Sequence, residues 1–178
     1  MRDLVSFFDI GSYEGALQEF GLEEIVFVKR FSKGEVKKYR AKLEKSDLKE
    51  KVKFCNIVER GKIKSEKADY IAIEVKEIKD LNAACDKRIR FIIFNPKAQA
   101  DLQAIKKLAS ANREIVFSFS DLLSANAFER MLILKKIRFV AKLAKKAKAN
   151  VRVYSFAKSF AELRNPKSLQ SILACLGD

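Results

Sequence analysis

Arg90-Phe91-Ile92-Ile93-Phe94 is apolar at four successive positions and is closed by Asn95-Pro96. A strand of that composition is buried on both faces, as happens in a parallel sheet covered by helices. Ala98 to Ala109 follows, with Leu102, Ile105, Leu108 and Ala109 recurring at the period of a helix. Glu114-Ile115-Val116-Phe117-Ser118-Phe119 then repeats the strand pattern. Strand, amphipathic helix, strand is the β-α-β unit of a parallel sheet.

The same rhythm extends in both directions. Toward the N-terminus, Leu4 to Asp9 reads as a strand, and Ser12 caps a short helix that runs through Phe20 to Gly21. Glu24 to Val28, Val52 to Val58 and Tyr70 to Val75 read as strands, and Glu35 to Lys45 and Ile78 to Cys85 as helices. The Lys and polar residues of Val52 to Val58 suit a fully buried strand poorly. Toward the C-terminus, Ser120 and Asp121 open a turn, and a long helix runs from about Asn126 to Ala147. Val151 to Phe156 is a further strand. A last helix opens at Pro166 with Asn165 as its cap, carries Leu169, Ile172, Leu173 and Leu176, and ends at Gly177. The expected fold is one α/β domain over 1–178, a TIM-barrel-like arrangement of mostly parallel strands. A full eight-fold barrel needs about 250 residues, so a chain of 178 is expected to form a trimmed or incomplete one.

Composition narrows the function. Lys and Arg number 37 against 23 Asp and Glu, a formal net charge of +14. A charge that lopsided repels itself unless a polyanion neutralises it, which leaves RNA, DNA and an anionic membrane as candidates and favours nucleic acid. Histidine is absent, which removes His-based acid/base catalysis, Ser-His and Cys-His nucleophiles and His-ligated metal sites. The six glycines form no phosphate-cradling loop. Asp9, Glu74 and Asp101 are read as strand-end or helix-surface acids rather than ligands of a hard cation. Cys55, Cys85 and Cys175 have no metal or disulfide spacing and are expected to be small buried hydrophobes. With no signal-peptide pattern or spanning apolar run, a cytoplasmic protein without a membrane partner is expected.

The charge concentrates in the long helix. Its apolar face contains Ile133, Ile137, Val140 and Ala144. Lys135, Arg138, Lys142 and Lys145 recur at spacings of three and four, which makes one stripe, and Arg130, Lys136, Lys146 and Lys148 add to it. From Ser120 to Asp178 there are twelve Lys/Arg against four acids. Such a stripe suits phosphate contacts, which give affinity without reading bases. Arg164 and the strand-end hydroxyls of Ser118, Ser120 and Ser155 are further candidates for RNA, although those hydroxyls equally suit helix caps. Most of the 14 phenylalanines are expected in the core, not as base-stacking platforms.

Phe117-Ser118-Phe119-Ser120-Asp121-Leu122-Leu123, then Arg130, then Ala141-Lys142-Leu143-Ala144-Lys145-Lys146, resembles the archaeal ribonuclease P protein component 3 family. Val153-Tyr154-Ser155-Phe156-Ala157-Lys158, Glu162-Leu163-Arg164-Asn165-Pro166-Lys167-Ser168-Leu169, Leu173 and Leu176-Gly177 continue the family's order. The resemblance covers about residues 89 to 178. It implies a barrel related to metal-dependent PHP phosphoesterases, with the chain itself non-catalytic. It implies pairing with the component 2 protein, often as a dimer of heterodimers. The pair would help ribonuclease P RNA remove the 5′ leader from precursor tRNA, and the RNA would carry the chemistry with its own Mg2+. Contact with precursor tRNA would be indirect. PHP enzymes open with a His-x-His metal motif, where this chain has Asp9-Ile10-Gly11. The chain is also shorter than is usual for the family, so a β-α unit is expected to be compact or missing. The residues alone leave open a stand-alone barrel phosphoesterase, or an RNA-binding assembly scaffold outside tRNA processing.

Overall fold

A computed structural model of the chain describes residues 1–60 and 67–177. Among the described residues one sheet has seven strands in sequence order, β1 (Arg2–Val5), β2 (Glu24–Lys29), β3 (Val52–Val58), β4 (Tyr70–Val75), β5 (Phe91–Phe94), β6 (Glu114–Ser118) and β7 (Asn150–Tyr154). Every neighbouring pair is parallel. Between and after the strands lie α1 (Ile10–Glu19), α2 (Glu35–Leu43), α3 (Ile78–Ala83), α4 (Leu102–Ser110), α5 (Phe119–Ser124), α6 (Ala127–Ala147) and α7 (Pro166–Gly177). The sheet curls until β7 approaches β1, so the chain forms a nearly closed, incomplete TIM-like barrel.

Alternation along the strands builds two cores. Leu4, Val26, Val28, Cys55, Ala72, Phe91, Val116, Tyr154 and Phe156 fill the interior. Large Phe91 and Tyr154 are offset by small Ala72 and Cys55, as a narrow barrel requires. The alternate residues face outward under the helices. Phe27 and Phe54 join Tyr13, Leu17, Val36 and Leu43 of α1 and α2. Ile73, Phe94, Ile115 and Phe117 join Ile105, Leu108, Ile137 and Val140 of α4 and α6. Both faces are buried, which is why the strands read as continuous apolar runs. β3 belongs to this pattern despite its polar residues. Asn56 is buried and its Oδ1 accepts from the Phe31 N–H at 3.0 Å, tying β3 to the loop after β2.

Between β1 and β7 the barrel is held differently. The Phe156 N–H donates to the Leu4 carbonyl at 2.7 Å, and the Ser6 N–H to the Ala157 carbonyl at 2.8 Å. The buried Asp3 carboxylate adds the rest. Its Oδ1 accepts the Ser155 N–H at 2.9 Å and the Leu4 N–H at 2.9 Å, and its Oδ2 accepts the Ser155 hydroxyl. Phe156 takes a left-handed φ of 46° while packing inside the barrel. That conformation costs a non-glycine residue about 1–2 kcal/mol. The chain bends there, and Ser155 to Ala157 are brought alongside β1.

Several sequence-based boundaries shift. β1 ends at Val5 rather than Asp9, because Phe8 leaves the strand to pack against Tyr13, Phe27 and Tyr39. Asp9, not Ser12, is the residue before α1, and the Ser12 hydroxyl donates to the Asp9 carboxylate. Helix α4 begins at Leu102, capped by Asp101, whose Oδ1 accepts the Ala104 N–H at 2.7 Å. The expected turn at Ser120-Asp121 is the short helix α5. Cys55 is buried, but Cys85 is half-buried and Cys175 is exposed.

Burial pushes the Asp3 carboxyl up to about 6, against the opposing pull of its bonds from Ser155 and Leu4. A carboxyl raised in the folded state stabilises the fold fully below its unfolded pKa near 3.9, and that contribution is lost as pH rises through about 6. A shift of about two units corresponds to roughly 3 kcal/mol. The Asp3→Asn variant keeps an oxygen for both N–H donors. It is expected to match or exceed the parent at pH 7.5 in urea unfolding, and to lose the parent's gain in stability between pH 6 and pH 4. An unchanged pH dependence in the variant would show that Asp3 is not the titrating group.

Candidate nucleic-acid interface

Helix α6 is specified at both ends. Asn126 caps it, with Oδ1 accepting the Glu129 N–H at 2.9 Å, while Glu129 accepts the Asn126 N–H at 3.3 Å. This reciprocal box satisfies two otherwise orphaned donors. Lys145 and Lys146 in the last turn complement the helix dipole. Ile137, Val140 and Ala144 are buried and Ile133 packs at their edge, so the expected apolar face is the one that docks on the barrel.

The opposite face is divided along its length. In the first turns it is apolar, with Phe128 at 67% exposure and Met131 and Leu132 also exposed. Beyond them it is mainly cationic, interrupted by the exposed ring of Phe139. Lys135, Arg138, Lys142, Lys145 and Lys146 are exposed, and Lys136 is half-buried. Elsewhere cations meet acids, as in Arg2–Glu24, Arg40–Asp69 at 2.8 Å and Arg88–Asp86 at 2.8 Å. Among the described residues, no ion pair involves the cations of α6 (Asp178 lies outside them). The excess charge is therefore concentrated on this face and has no acidic partner among the described residues.

The other sequence-predicted residues sit differently. Arg130 donates to the Leu122 and Ala125 carbonyls at 3.0 and 3.1 Å, pinning the α5–α6 turn. Arg164 is exposed and donates to the Ala161 and Leu163 carbonyls at 2.8 and 2.6 Å. Ser118 caps α5 by accepting the Asp121 N–H at 3.2 Å. Ser120 is buried and donates to Glu162 at 3.4 Å. Ser155 is buried at the β1–β7 seam. The capping alternative thus describes Ser118, while Ser120 and Ser155 bond within the protein. Sequence reasoning also missed the exposed rings of Phe128, Phe139 and Phe160, which lie outside the core.

Barrel enzymes place their chemistry at the C-terminal ends of the strands. Here Arg30, just past β2, bonds Glu59 past β3 at 3.1 Å and Glu74 on β4 at 3.2 Å. Lys76 and the Asn95 amide also approach Glu74, at 3.5 and 3.4 Å. A guanidinium thus lies between the carboxylates. Among the described residues, no three His, Cys, Asp or Glu side chains gather as metal ligands. Asp9 accepts from the Ser12 hydroxyl before α1 and Asp101 caps α4. This donor set does not fit a divalent metal. No helix of the described residues is long and apolar enough to cross a membrane.

No protein-family profile matches the chain, and no curated protein matches it. Solved structures do. A chain of an archaeal ribonuclease P determined with mature tRNA aligns over 100% of this chain and 83% of its own length, at 23% identity and a TM-score of 0.80. A histidinol phosphate phosphatase from Lactococcus lactis, determined with zinc, L-histidinol and phosphate, aligns over 99% and 93% at 11% identity and a TM-score of 0.55. An apo protein from Agrobacterium tumefaciens aligns over 98% and 87% at 8% identity and a TM-score of 0.56. The chain therefore has the barrel fold of the ribonuclease P chain, shared with a phosphatase that was determined with zinc.

Manganese is expected to leave the thermal unfolding midpoint of this chain unmoved. A site occupied at about a hundred times its Kd would add about 2.7 kcal/mol and raise the midpoint by roughly 5–10 °C. A shift of that size, abolished by Glu74→Gln, would show that the mouth binds metal after all.

Proposed function

We propose that this chain is a non-catalytic protein subunit of ribonuclease P, working with component 2 to bind the catalytic RNA and promote 5′-leader removal from precursor tRNA. The observation that carries this reading is the alignment of the whole chain on a ribonuclease P chain at a TM-score of 0.80. The sequence resemblance over the C-terminal half supports it independently. The unpaired cations of α6 fit the role, because each neutralised phosphate releases condensed counterions and so contributes affinity. Lys135, Arg138, Lys142 and Lys145 form the contact, Lys136 and Lys146 flank it, and the guanidinium charges of Arg130 and Arg164 add to the field. The absence of histidine and the ion-paired mouth agree with chemistry that belongs to the RNA and its Mg2+. The phosphatase likeness favours no hydrolytic reading here, since Arg30 lies where barrel enzymes keep their reactive groups.

The apolar first turns of α6 supply the second surface. Exposed patches of large apolar side chains mark protein interfaces. Phe128 and Met131 would anchor component 2 and leave the basic turns to the RNA.

The deciding assay is precursor-tRNA cleavage by the catalytic RNA at moderate magnesium, with and without this chain plus component 2. Acceleration by the pair, with no cleavage by the proteins alone, is expected; no acceleration would overturn the assignment. Lys135→Glu with Lys142→Glu is expected to weaken RNA binding and to reduce its salt slope by about one unit per lost phosphate contact. An unchanged slope would remove the stripe from the interface. Phe128→Ser with Met131→Ser is expected to abolish pull-down of component 2 while leaving the RNA salt slope intact. Retained pull-down would move that interface elsewhere.

A further inference from the structure

The flank of α6 that faces the β5–α4 loop holds a cleft of about 760 Å³, within the range of small-molecule sites. Three kinds of group converge there. Phe139, an aromatic ring left 48% exposed, supplies an apolar platform, and Lys136 lies over the ring at 5.8 Å from its centroid. Lys97, Lys135 and Lys136 supply positive charge, and none of the three is ion-paired among the described residues. Asp121, Glu129 and Ser124 supply acceptors. The Ser124 hydroxyl gives its proton to the Ser120 carbonyl at 2.8 Å, so its oxygen can only accept from a ligand.

An apolar peptide in this cleft would desolvate the carboxylates and ammonium groups without replacing their hydrogen bonds. A nucleotide matches all three. It has a planar π-face for the ring, an amino edge that donates to acceptors, and phosphate for the lysines. We propose that the cleft takes one unstacked nucleotide of a single-stranded RNA segment, with its base against Phe139, its amino edge toward Asp121, Ser124 and Glu129, and its phosphates on Lys97, Lys135 and Lys136. This inference rests on the RNA-binding reading of α6 and deepens it. Phosphate contacts alone give register, whereas a stacked base anchors one point of the strand.

The chain contains no tryptophan, so Phe139→Trp places a single reporter in the cleft. Titrated with single-stranded oligoadenylate, its fluorescence is expected to be quenched as binding saturates. An abasic oligomer of equal length is expected to bind without quenching. Phe139→Ala is expected to weaken oligoadenylate binding about 5- to 150-fold, the usual effect of losing one aromatic stack, and to leave abasic affinity and the salt slope unchanged. Bound oligoadenylate with unquenched tryptophan overturns the proposal. So does loss of component 2 binding in Phe139→Ala with RNA binding intact, which would assign the cleft to a protein. The broader reading fails separately: it falls if the parent chain binds neither oligomer, or if Lys135→Glu with Lys142→Glu leaves the salt slope as it was.

Discussion

Seven strands must close a ring, and the seam between β1 and β7 is where that closure is hardest. Parallel pairing supplies the other joints, each with a run of registered residues. At the seam only a single isolated bridge remains, Val5 with Ala157. A buried carboxylate completes it by accepting two backbone N–H groups and a hydroxyl. Asp3 behaves as an extra strand-pairing group lent by a side chain. The left-handed Phe156 is part of the same solution, since it turns the chain past β7 back toward β1. The interior core, the helices outside it and the placement of α6 against β7 all presuppose that this joint holds.

The charge distribution follows a second constraint. At the C-terminal mouth Arg30 bonds one carboxylate just past β3 and one on β4, and at the other mouth the buried Glu114 lies between Arg90 at 3.9 Å and Arg152 at 3.7 Å. The Tyr154 hydroxyl donates to that same carboxylate. Both ends of the barrel are thus internally compensated. The positive excess of the chain is left on the outside, and α6 carries much of it. A basic face that remains after the acids have found other partners is stronger grounds for a polyanion than a high net charge.

Much of this was readable in advance. Val52–Val58 and Tyr70–Val75 are strands to the residue, and α6 begins one residue after its expected start. Helix α6 carries strong periodicity and a capping residue at its start, and the two strands are short runs bounded by charged residues. Where local pattern misled, tertiary packing decided. Phe7 and Phe8 look like strand, but the aromatic cluster of Tyr13, Phe27 and Tyr39 draws Phe8 out of register. Helix α5 is too short to show a period, and Arg130 from the next helix holds its end. The role of Asp3 was invisible because Ser155 is 152 residues away. The positions of Phe128, Leu132, Lys135 and Phe139 share one helical face by their spacing alone. Counting Phe128 and Phe139 with the core phenylalanines hid the exposed apolar positions of α6 beside its basic stripe.

The apolar positions and the basic stripe lie on one uninterrupted helix of 21 residues. At 1.5 Å per residue it is a rod of about 31 Å. Two occupants seated at its ends would be separated by a length that does not flex. α6 would then serve as a ruler, setting the offset between a bound protein and a bound RNA, and inserting or deleting a turn would alter their spacing while leaving each contact chemically intact.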